Sequence, residues 1–119
     1  MQGVNKVILL GNLGADPEER FLPNGERVVT ISVATHEKWK DKATGEDKQV
    51  TDWHRVVFFN RLAEIAAQYL KKGAGVYIEG KNKTRSWEDN HGVKKYAFQI
   101  AATKLEILPT KQGGNNEQF

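Results

Sequence analysis

Only one stretch of this 119-residue chain changes its hydrophobic period from two residues to that of a helix. Leu62, Ile65, Ala66, Tyr69 and Leu70 fall at i, i+3, i+4, i+7 and i+8, one apolar helical stripe. Asn60 is placed to cap it. Lys71-Lys72-Gly73 supplies the stop, with basic residues in the last turn and a glycine after it. Everything else that is regular reads as strand: Val4 to Leu13, Val28 to Thr35, Thr51 to Phe59, Val76 to Trp87 and Tyr96 to Leu108. Turn signals separate them at Asp16-Pro17, Pro23-Asn24-Gly25 and Asp89-Asn90-His91-Gly92, and a polar stretch from Lys38 to Gln49 projects from the body.

The order is three strands, a helix and two strands. The expected fold is therefore all-β, a five-stranded OB barrel with one helix between strands 3 and 4, whose closure removes most of the exposed strand edges. The length suits one domain, placed at residues 1–109 and followed by a short polar tail at 110–119.

Several chemistries find no residues to carry them. There is no cysteine, which excludes disulfides and thiol chemistry and allows a cytosolic address. His36, His54 and His91 lie far apart with no metal-ligand spacing, so no metal or other cofactor is expected. Val7 to Leu10 is too short an apolar run for a membrane span. A nuclease needs converging carboxylates, yet Asp16, Asp41, Asp47, Asp52 and Asp89 fall mostly in turns and loops. Gly11-Asn12-Leu13-Gly14 lacks the Gly-Lys-Ser/Thr of a phosphate-binding loop.

Charge is unevenly spread. Residues 1–50 carry 7 basic and 8 acidic side chains, whereas 51–110 carry 10 basic and 6 acidic ones. Alternation sharpens this. In the fourth strand Lys81, Lys83, Arg85 and Trp87 share one face, opposite Val76, Ile78 and Gly80. An indole beside cations gains little from packing, because its neighbours resist burial. A nucleobase suits it: the ring stacks while the adjacent phosphate meets a cation. Duplexes hide their base faces, so such a surface favours single strands. A protein-binding adaptor would instead present an apolar patch without the accompanying cations.

Trp39, in Glu37-Lys38-Trp39-Lys40-Asp41-Lys42, is too surrounded by charge for a core residue. Each ring has an ordinary alternative. Trp87 would stabilise a hairpin by pairing with Tyr96, and Trp39 would anchor a loop. Trp53 and Phe59 share a face with Arg55 and Val57, and an aromatic on a strand is ordinarily core, so alternation leaves them open.

The segments Asn5-Lys6-Val7-Ile8-Leu9-Leu10-Gly11-Asn12-Leu13-Gly14, Asp16-Pro17-Glu18, Asp41-Lys42-Ala43-Thr44-Gly45-Glu46, Trp53-His54-Arg55-Val56-Val57, Val76-Tyr77-Ile78-Glu79-Gly80 and Thr84-Arg85 closely resemble the bacterial homotetrameric single-stranded DNA-binding proteins. The resemblance runs from about residue 3 to 108, in order and with matching spacing. It implies a non-catalytic, cytoplasmic, nucleoid-associated protein that coats single-stranded DNA during replication, repair and recombination. It also implies a homotetramer, a dimer of dimers. Trp39, Trp53, Phe59 and Trp87 fall at the family's base-stacking positions. Arg55, Arg61, Lys72 and Arg85 fall at its phosphate-contacting positions, to which the cationic stripe adds Lys81 and Lys83. His54 falls at a subunit contact.

Three places depart from the family pattern. Asn82 replaces an apolar residue on the inward face, where a buried amide needs partners. Asn60 stands where a glycine is common, and as a capping residue it is an acceptable exchange. The family's long tail with an acidic tip recruits replication and repair proteins, whereas this chain ends Asn115-Asn116-Glu117-Gln118-Phe119, with one acid beside the terminal Phe.

Overall fold

Valine, isoleucine and leucine recur at alternate positions of the long strands, and their inward side chains meet in one core. Leu9, Leu13, Val29, Ile31, Val33, Val56, Phe58, Val76, Ile78 and Ile100 are all buried in it. These positions come from a computed structural model that describes residues 1–109; the expected tail at 110–119 lies outside the described residues. In chain order the elements are β1 (Val7–Leu13), β2 (Glu18–Phe21), β3 (Arg27–Lys40), β4 (Asp47–Phe59), α1 (Asn60–Tyr69), β5 (Gly75–Glu88) and β6 (Lys94–Ile107).

The strands run β1-β5-β6-β4-β3-β2 across the sheet, and β1 returns to β3 at Asn12↔Ala34 and Leu13↔Val33. That return closes β1, β3, β4, β5 and β6 into the five-stranded OB barrel, with α1 between its third and fourth strands. All pairings are antiparallel except β4 with β6, which meet in parallel at Val56↔Ile100 and Val57↔Ala101.

The sixth strand, β2, lies outside the ring on the edge of β3. Its sequence, Glu-Glu-Arg-Phe, is exposed throughout, so it has no apolar alternation to reveal it. The turn at Pro23-Asn24-Gly25 builds it, with Leu22 N–H donating to Glu26 C=O at 2.9 Å. The expected polar loop from Lys38 to Gln49 is mostly a paired arm: β3 and β4 stay in register out to Lys40↔Asp47. Beyond the barrel neither face is buried, and the period-two signal disappears.

Three expectations about α1 are corrected. Asn60 does not cap it; the N-cap position is Phe59, with no side-chain bond. Asn60 instead takes φ 56°, in the left-handed region that Asn tolerates better than most residues, and its amide donates to Glu26 Oε2 at 3.1 Å. That conformation accounts for the exchange of glycine and asparagine here. Tyr69 also leaves the expected stripe. The helix seats Ala63 and Ala66 against the barrel, with Leu70 just beyond it buried as well, so Tyr69 falls at the flank and is exposed. Small residues let the helix axis approach closely. The lysines follow the helix instead of occupying its last turn.

Asn82 is exposed, contrary to the inward burial expected. Past Gly80 the strand leaves the barrel body, and the Asn5 side chain grips its backbone there. Asn5 Nδ2 donates to Asn82 C=O at 2.8 Å, and Asn82 N–H donates to Asn5 Oδ1 at 2.9 Å. A register shift in the β5–β6 pairing accompanies this departure: Glu79 faces Lys104 and Gly80 faces Ala102, leaving Thr103 unopposed.

Candidate nucleic-acid interface

The outer faces of β4, β6 and β5 form one continuous surface. Arg55 comes from β4, Ala97, Gln99 and Ala101 from β6, and Lys81, Lys83, Arg85 and Trp87 from β5. Residues 97 and 101 are alanines, which keep the floor low between the flanking cations. Gln99 bridges the strands, its Oε1 accepting from Arg55 Nε–H at 3.3 Å. Burial, and then repulsion from Arg85, push the Arg55 guanidinium down from its ordinary value. Two arginines crowd one spot, and an anion between them would relieve it.

The Arg85 guanidinium lies 4.4 Å from the Trp87 ring centroid. Its Nε is buried without a hydrogen-bond partner among the described residues. Trp87 stands opposite Lys95, and Tyr96 stands opposite Ser86, so the two rings are on opposite faces of the hairpin. The cross-strand pair of Trp87 with Tyr96 does not exist.

Trp53 is 60% exposed and faces outward, with Ala34 opposite it on β3. Its ring lies over Gly14, where a Cβ would come within 2.7 Å of the ring's Cη2 and closer still to Cζ3. A glycine there is what allows the indole to lie flat. The backbone around Gly14 is fixed by Gly14 N–H donating to Ser32 C=O at 3.0 Å. His54 points the other way, hydrogen-bonded through Nε2 to Thr35 Oγ1 at 2.9 Å. Phe59, at the end of the same outward row as Trp53 and Arg55, is also exposed.

The remaining predicted residues are more dispersed. Lys72 sits in the turn after α1, where its N–H donates to Asp16 Oδ1 at 2.8 Å, two residues from Gly14. Arg61 is at the start of α1 and pairs with Glu64 at 2.7 Å. Among the described residues, Arg55, Lys72, Lys81, Lys83 and Arg85 have no ion-pair partner. Trp39 is half exposed near the tip of the β3–β4 arm, on the face it shares with Lys48 and Val50, opposite the face of Trp53. The four predicted stacking rings therefore do not make one flat platform.

The structure also exposes rings that sequence reasoning did not select. Phe98 is 76% exposed and borders, with Trp53, His54 and Asn82, a hollow of about 120 Å³ where β4 and β6 separate. Phe21 carries the Arg27 guanidinium 5.3 Å from its ring centroid. Phe98 has the same parity in β6 as the buried Ile100, so its sequence position reads as core. Phe21 had one available signal, the turn that follows it.

Known proteins share both the sequence and the fold of this barrel. Residues 4–108 match the model of the Single-strand binding protein family. A solved Plasmodium falciparum SSB complex with ssDNA superposes with a TM-score of 0.83 at 35% identity, covering 92% of this chain and 98% of that one. The single-stranded DNA binding protein from Thermus aquaticus, solved as a deletion mutant, gives a TM-score of 0.77 at 33% identity. It covers 90% of this chain, which spans only 51% of that longer protein. A family match over nearly the whole described barrel, with relatives sharing both fold and a third of the sequence, decides the classification: the chain belongs to the Single-strand binding protein family.

Proposed function

We propose that this protein binds single-stranded DNA without sequence specificity, by stacking bases on Trp39, Trp53, Phe59 and Trp87. Arg55, Arg61, Lys72, Lys81, Lys83 and Arg85 meet the phosphates. The observation that carries this reading is the outer face of β4, β6 and β5, where exposed indoles stand beside cations that lack partners among the described residues. Stacking uses the π-face that every base presents, so it confers affinity without readout of base edges. Residues 1–109 form the binding unit in this reading, 110–119 are a tail, and the role is protection of DNA during replication, repair and recombination.

The protein acts as a homotetramer, a dimer of dimers, with His54 at a subunit contact. Support comes from β1, whose outward Ile8 and Leu10 are 57% and 61% exposed. An apolar strand with an open edge gains by pairing with a second copy. Among the described residues no helix is long and apolar enough to cross a membrane.

Titration of tryptophan fluorescence with poly-deoxythymidine tests the function. Stacking quenches most of the signal and the affinity falls with salt; unchanged emission would defeat the proposal.

A further inference from the structure

The two arms that extend past the barrel repeat one arrangement. On the β3–β4 arm Trp39 stands directly across the strand from Lys48. On the β5–β6 arm Trp87 stands directly across from Lys95. Directly opposed residues share a face with their Cβ atoms about 5 Å apart, so each indole has a lysine beside it. Trp39 and Lys48 also line one shallow depression, with Lys38, Asp47 and Gln49. None of the phosphate-contacting positions assigned above includes either lysine.

Each lysine is also engaged by a carboxylate from the turn of its own arm. Lys48 Nζ lies 3.2 Å from Glu46 Oε1, and Lys95 Nζ lies 3.9 Å from Asp89 Oδ2. All four side chains have solvent access, so these pairs are weak and exchange readily. The first arm, from Glu37 to Lys48, holds four lysines and four acids. Its tip has no excess positive charge of its own.

We propose that Lys48 and Lys95 are phosphate-binding residues, each working with the tryptophan across the strand and each held in the free protein by a turn carboxylate that the phosphate displaces. The base stacked on Trp39 or Trp87 brings its own phosphate within reach of the neighbouring ammonium. The carboxylate then returns to water. Glu46 and Asp89 keep the lysine close to its ring and compete with DNA for it, which loosens the grip of the arms relative to the barrel face. This inference rests on the single-strand binding reading above.

The test uses the full chain and oligo-deoxythymidine over a salt series. Lys48→Gln and Lys95→Gln should each weaken binding most at low salt. Each should flatten the log–log salt dependence by about 0.7, so that the deficit shrinks about fivefold per tenfold rise in salt. Lys48→Arg should keep the parental slope. Glu46→Gln should tighten binding at low salt, and the gain should vanish when Lys48→Gln is added. Asp89 is a poor target because its Oδ1 also accepts from His91 and Val93 N–H and builds the turn. Lys104, paired with Glu106 away from the indoles, serves as control. Parental affinity and slope in both lysine variants, or the same loss in Lys104→Gln, would overturn this inference alone. Failure of the unaltered protein to bind would overturn the functional reading beneath it.

Discussion

Gly14 lies directly beneath the indole of Trp53, so close that a Cβ would collide with the ring. Gly14→Ala should therefore tilt Trp53 off its platform without unfolding the barrel, since the ring is exposed and can move. The expected result is a shifted tryptophan emission and weaker oligo-deoxythymidine binding, by no more than Trp53→Ala costs. A parental spectrum and affinity would show that Gly14 does not set the ring.

Trp53→Ala itself should weaken single-strand binding by roughly 1–3 kcal/mol and leave the protein folded. Removing Phe58, which precedes Phe59 in β4 but points inward and is fully buried, should instead cost about 3–5 kcal/mol of stability. Thermal melts and affinities of Trp53→Ala and Phe58→Ala, measured together, separate stacking from packing. Early melting of Trp53→Ala would contradict its outward placement.

Arg85→Lys keeps the charge but loses the planar group that lies over Trp87. Weaker binding than the parent is expected, with an almost unchanged salt slope, because the number of cations is the same. An unchanged affinity would mean that position 85 acts only as a point charge.

The Tyr77 hydroxyl donates to Glu79, which also meets Lys6 at 3.3 Å. The bond from Tyr77, then that from Lys6, holds the Glu79 carboxyl below its ordinary value, and the bond to Glu79 raises the Tyr77 phenol. Glu79, being depressed, contributes stability that is present above its unfolded value and lost as pH falls through its folded one. Tyr77, being raised, contributes stability that is present below its unfolded value and lost as pH rises through its folded one. Tyr77→Phe should therefore flatten the stability profile at both the acidic and the alkaline end. Melting curves across pH that superpose on the parent would refute the coupling.

Leu10→Lys places a charge on the exposed face of β1, and His54→Ala removes a side chain expected between subunits. Light scattering should give about four chain masses for the parent and less for each variant. Four masses in both variants would place the interface elsewhere.

Alternation put Trp53, Arg55 and Phe59 on one face of β4 and Val56 and Phe58 on the other, but left open which face looks outward; their exposure decides it. It failed where strands outrun the barrel. Asn82 and Phe98 have inward parity, yet both are exposed, because past Gly80 there is little interior left to face. The pairing of Trp87 with Lys95 instead of Tyr96 is a matter of register, which the turn length at 89–93 fixes and composition does not. Asn60 was legible as punctuation but not as a left-handed residue. Both roles favour the same amino acid, and only φ separates them.

The barrel is sealed between β4 and β6 by two residue pairs, as few as between β1 and β3, against thirteen between β3 and β4. A ladder that short is where a closed sheet parts first, and amide hydrogens flanking Val56 and Ile100 should exchange earlier than those in the middle of β3. Each arm would then move as a lever pivoting on its own side of the seam. A strand of DNA lying across Arg55, Gln99 and Arg85 would act as a suture over that seam, and its binding should slow the exchange there most.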